Sequence, residues 1–170
     1  MTPAEKTRRW VEDFVVHHSL CPFAARPLRR GLVDTVEIPG VDIETVFFAA
    51  WAQVQRLVVE EPDTVETILC VMTESLADFS TFLDFVATLE EYLEETGASE
   101  LVQLAHFHPD YLFAGVAADD PGNETNRSPW PVVQLLRVES VAAAVAAYGA
   151  GAVEEIPERN VALLRRLRAS

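Results

Sequence analysis

The sequence predicts an α/β fold, a small sheet of about four strands, mostly parallel or mixed, covered by helices in a single domain over 1–170. Three observations predict it. Segments with helical spacing of apolar residues alternate with short β-branched runs along most of the chain. The run ETILCVMT at 66–73 is almost continuously apolar, the pattern of a strand covered on both faces. The chain has 170 residues, 49% of them hydrophobic, enough for one core without metals or disulfides.

Each element has its own justification. Thr2-Pro3-Ala4-Glu5 combines an N-cap, a first-turn proline and a capping-box glutamate, and Trp10, Val11, Phe14 and Val15 continue as one apolar stripe. That helix is expected to stop at HHSLCPF, because Pro22 disfavours a helical Cys21. LVDTVEI (32–38) alternates as a strand and Pro39-Gly40 turns. Asp42 caps a second helix expected to bury Ile43, Val46, Phe47, Ala50, Val54, Leu57 and Val58 and to end near Pro62. After the strand at 66–73, Phe79, Phe82, Val86, Leu89 and Leu93 mark a third helix, closed by Gly97. ELVQLAHFH (100–108) is a third strand, followed by a proline-bounded loop to about Pro131. PVVQLLRV (131–138) fits a strand or the start of a helix. Ser140 is the expected cap of VAAAVAAY, and a last amphipathic helix follows Pro157.

Composition narrows the function classes. Thirteen Lys+Arg against 27 Asp+Glu give a net charge of −14, so a nucleic-acid partner is disfavoured by the average field. The start, MTPAEKTRRW, lacks the apolar segment of a signal peptide, and no apolar run approaches the ~18 residues of a membrane span. A cytoplasmic location without a membrane partner is expected. Two cysteines are too few for a disulfide framework, and Cys70 reads as a buried, inert thiol. Neither a cofactor nor an oligomeric state is specified.

In open α/β sheets ligands bind beyond the carboxyl ends of strands, and the third strand ends at Phe107-His108-Pro109. The loop from 109 to 130 is longer than usual, which favours function there. His108 is the candidate general acid/base and Tyr111 the candidate to shape or hydrogen-bond a pocket. His106 lies two residues earlier, but His-x-His without a third ligand does not assign a metal. Asn126, Arg127 and Ser128 offer an amide, a guanidinium and a hydroxyl, a set suited to a carboxylate or phosphate. Arg127 is the only basic residue between Leu57 and Leu136, against sixteen acidic ones. It either holds an anion or ties the loop to Asp110, Asp119, Asp120 or Glu124. Cys21, with Arg26, Arg29 and Arg30 nearby in sequence, is a candidate nucleophile whose thiolate those cations would favour. CPFA is similar to the redox motif of omega-class glutathione transferases, although here a helix precedes the cysteine and residue 24 is Ala.

LCPFAARP, FHPDYLFAG, NRSPWPVVQLLRVESVAAAV and IPERNVALLR together resemble the bacterial DUF1415 family of uncharacterised proteins, from about Trp10 to Leu167. The resemblance implies importance for Cys21, Pro22, Phe23, His108, Pro109, Tyr111, Phe113, Asn126, Arg127, Ser128, Pro129 and Arg137. It implies no activity. The chain departs from the family pattern at His17-His18-Ser19, His106, Trp130 and Gln134.

Three readings follow. An enzyme would hold a small anionic metabolite with Asn126, Arg127, Ser128 and Arg137 while His108, Tyr111 and Cys21 act on it. A non-catalytic ligand-binding or accessory module would use the same loop as a clasp. A thiol-redox or metal protein would centre on Cys21 or the histidines.

Overall fold

The computed structural model describes residues 1–169. Four six-residue strands form one mixed sheet in the order β1-β2-β4-β3: β1 Val33–Ile38, β2 Thr67–Met72, β3 Val102–Phe107 and β4 Val132–Arg137. β1 and β2 are parallel neighbours, and β4 runs antiparallel to both β2 and β3. The segment at 132–137 is therefore a strand, and it lies between two strands that precede it in the chain.

α3 (Ile43–Val59) and α4 (Phe79–Thr96) connect β1 to β2 and β2 towards β3. Both start with an aspartate whose carboxylate accepts from the backbone N–H three residues on, Asp42 from Thr45 and Asp78 from Thr81. Both pack on one face of the sheet, where Ile68, Cys70, Met72, Val133 and Leu135 meet Val46, Leu57, Phe82 and Leu89 in the main core. Ile43 and Val58, expected on the buried face of α3, lie at its two ends and are exposed. Strand alternation sends Leu69, Val71, Val132 and Phe107 to the other face, under Val11 and Trp10.

That second layer differs from the single expected helix. α1 (Pro3–Trp10) keeps its capping box, but Val11–Val16 continue as a π-helical turn. A short α2 (Ala25–Arg29) then leads into β1. Downstream, β4 runs straight into α5 (Val138–Tyr148), so this helix begins before Ser140 and without a side-chain cap. α6 (Ala150–Glu154) and α7 (Ile156–Ala169) finish the chain.

α7 braces the long loop. A 3₁₀ turn at Pro121–Asn126 lies against it, and a side chain at Gly122 would meet the Val161 methyl at 3.0 Å, so Val161 would have to give way to anything larger than glycine. Arg165 pairs with Asp120, and Arg168 with Glu124. No helix among the described residues is long and apolar enough to cross a membrane.

Candidate functional site

His108 follows the last residue of β3 and is completely buried. Its Nε2 lies 2.9 Å from the Leu76 carbonyl, and its Nδ1 accepts from the Asp110 N–H at 3.0 Å. Those partners assign the proton to Nε2 and occupy both nitrogens. Phe79 and Phe82 of α4 pack against the ring, with centroids at 5.2 and 5.0 Å. Leu76 is held at φ 63, a left-handed conformation that is strained for a branched side chain, in the loop between β2 and α4. His108 thus pins a strained turn to the end of the sheet.

The Asn126-Arg127-Ser128 segment joins the same assembly. The His108 N–H donates to the Asn126 carbonyl, and the Asn126 amide donates to the His106 carbonyl, both at 3.0 Å. Arg127 donates from Nε to the Tyr111 carbonyl and from Nη2 to the Ala118 carbonyl, both at 3.0 Å. Ser128 donates from its hydroxyl to the Trp130 carbonyl. Arg127 therefore reaches backbone oxygens and forms no ion pair with Asp110, Asp119, Asp120 or Glu124. Sequence reading passed over Asn123, which is fully buried and bridges the Phe113 N–H and the Ala117 carbonyl. An Asn in a Gly/Pro-rich loop, with its paired donor and acceptor, was the available signal.

Tyr111 is buried between Phe79 and Phe113, its ring stacked on His106 at 5.5 Å. Burial pushes its phenol up from the ordinary value. His106 also touches Phe82 and leaves a buried Nδ1 without a partner. Burial holds His106 below the usual imidazole value of 6.5, with Glu90 opposing. A folded value below the unfolded one means that the unfolded chain binds the proton first as pH falls. Stability is then intact above about 6.5 and is lost as pH falls from there to the lower folded value. The capping carboxylates of Glu5, Asp42, Asp78 and Asp120 are also held low, chiefly by hydrogen bonds, so their losses come in more acid solution. His106→Phe is expected to shrink the stability lost between about pH 7 and pH 5, measured by urea unfolding at each pH. An unchanged loss would remove His106 as its source.

Two predicted residues lie apart from this cluster. Cys21 sits in a turn, half-buried; burial pushes its thiol up, opposed by the backbone N–H groups of Phe23 and Ala24. Arg26, Arg29 and Arg30 are exposed and are not among the groups that shift it, which reverses the expected activation. The turn docks on α7, whose Asn160 amide donates to the Leu20 carbonyl at 2.7 Å. Arg137 pairs in register with Val102, the first residue of β3, at the end of the sheet opposite His108. It donates to the carbonyls of Glu60 and Val65, closing the α3–β2 turn.

One open region does adjoin Arg127. A groove of about 540 Å³ runs between α1 with its π-helical turn and the Arg127–Pro129 segment, lined by Lys6, Arg9, Trp10, Asp13 and Phe14. Among the described residues, none of Lys6, Arg9 and Arg127 has a carboxylate oxygen within 4 Å. Sequence reading missed the helix side of this groove because Trp10 and Phe14 fit a core stripe. The signal available was Lys6, the only lysine in the chain, one turn from that stripe.

The four motifs thus build one clasp and its neighbouring segments, and a family model described as "Protein of unknown function (DUF1415)" matches residues 2–170. The chain belongs to the DUF1415 family. No curated protein and no solved structure matches it. In this DUF1415 chain, the motif residues His108, Asn126, Arg127 and Ser128 form one hydrogen-bonded assembly, while Cys21 and Arg137 serve other junctions.

Proposed function

We propose that this protein binds a small anionic metabolite, a carboxylate or phosphate, in the groove beside Arg127. The observation that carries the reading is three cations around one opening, unpaired with carboxylates, on a chain of net charge −14. Acidic residues outnumber basic ones by 27 to 13 over the chain, so a local cluster of cations concentrates anions against the average field. Arg127 is pre-organised by its two carbonyl bonds, which reduces the entropy lost on binding. Lys6 and Arg9 extend from the exposed face of α1 as its counterparts.

A binding role is favoured over His108-based catalysis. The imidazole is buried and both nitrogens are engaged, so proton transfer to a ligand would first require breaking the clasp. The double substitution Lys6→Ala, Arg9→Ala is expected to weaken ethyl phosphate binding about tenfold or more and to leave stability within about 0.5 kcal/mol, since both side chains are exposed. Titration calorimetry at low and high salt, with parallel melting curves, measures both effects. Affinity indifferent to the substitution and to salt would defeat the reading.

A further inference from the structure

Resting on that anion-binding reading, we propose that the ligand also carries a flat aromatic ring, the class of aryl phosphates and nucleoside monophosphates. The wall of the groove opposite Arg127 is aromatic. Trp10 and Phe14 lie nearly parallel, with centroids 6.4 Å apart and planes 26° apart. Trp10 is braced from behind by Phe107, edge-to-face at 5.3 Å, so its position is set by the sheet. Phe14 continues the row to His18 at 5.6 Å and remains half-exposed. An aromatic row left partly open beside cations offers a π-face next to an anion site, the combination that stacked bases and their phosphates use.

The backbone supports the same conclusion. The residues that form this wall belong to the junction of α1 and the π-helical turn, with i→i+5 bonds from His17 to Glu12 at 3.2 Å and from Leu20 to Val15 at 2.9 Å. Such turns are rare and are frequent at functional sites. Charge sets the size of the ligand. Lys6, Arg9 and Arg127 line the groove with Asp13, and Glu5 acts on Arg9 from the first turn of α1, a small surplus of positive charge that suits one phosphate or carboxylate group. A polyanion extending beyond the groove would meet the acidic remainder of the surface.

The test compares phenyl phosphate with ethyl phosphate, equal in charge, by titration calorimetry on the full chain. Phenyl phosphate is expected to bind about tenfold more tightly, in line with a single stacking contact. Phe14→Leu is expected to bring the ratio of the two affinities close to one, with circular dichroism confirming the fold. Equal affinities for the two phosphates in the unaltered protein would overturn the aromatic inference and leave the anion site standing. Binding of neither would overturn both. A Phe14→Leu protein that keeps the tenfold preference would place the ring elsewhere and overturn this wall. A short single-stranded oligonucleotide that binds more tightly than a nucleoside monophosphate would overturn the small-molecule class.

Discussion

His108→Ala is expected to lower the unfolding free energy by about 3 kcal/mol, with urea unfolding as the measurement. Two losses combine, and the first bears on a strained turn. The Leu76 carbonyl and the Asp110 N–H lose their partner, and an abandoned buried polar group costs about 1–3 kcal/mol. Phe79 and Phe82 lose the ring they pack against, which leaves a cavity in a site that cannot fully collapse. Leu76, at φ 63, loses the bond that helps to hold it there. Leu76→Gly keeps the carbonyl that His108 bonds and accepts that φ without strain, so a smaller cost of His108→Ala in the glycine background would measure how much the bond holds the strained turn. A destabilisation under about 1 kcal/mol, accompanied by loss of anion binding in the folded protein, would return His108 to a ligand-contacting role.

The distinction between clasp and site also explains what was legible in the residues. Strands at 32–38, 66–73 and 100–108 could be read because β-branched alternation or continuous burial differs from helical spacing. The start of α3 and the end of α4 could be read because Asp42 and Gly97 act within a few residues of chain, and Asp78 caps the start of α4 in the same local way. The place of β4 could not. Its position between β2 and β3 depends on pairings such as Thr67 with Leu136, which no local pattern encodes. The π-helical turn was equally hidden, since Val11, Phe14 and Val15 satisfy an α-helical stripe as well.

At the candidate site, the loop length and its polar residues drew His108 and Asn126–Ser128 together as candidates, and hydrogen bonds join the two segments. Those signals could not show how the bonds are spent. Four carboxylates lie near Arg127 in the sequence, but it bonds two carbonyls, because backbone acceptors leave no trace in a sequence. Arginines are close to Cys21 in number, whereas its surroundings are its own turn and its burial. Charge neighbours in sequence become electrostatic neighbours only when the intervening backbone turns them inward.

Arg137 provides the second large effect, and a sharper separation of structure from ligand. Arg137→Met is expected to cost about 2–3 kcal/mol, because hydrogen bonds from a charged donor contribute ~1.5–3 kcal/mol and two carbonyls would be stranded. Its Nε and Nη2 together hold the Val65 carbonyl, and Nη2 also holds that of Glu60. Lysine presents one ammonium where a planar fork is needed, so Arg137→Lys should recover less than half of the loss. The anion site lies near the other end of strands six residues long, roughly 17–20 Å away at ~3.3 Å per residue. Ethyl phosphate affinity, measured below the unfolding transition, should therefore match the unaltered protein in both variants. Stability lost with affinity kept would make Arg137 a fastener of the α3–β2 turn. Affinity lost with stability kept would require a ligand that reaches the full length of the sheet, and would place the family's motif arginine back in the binding site.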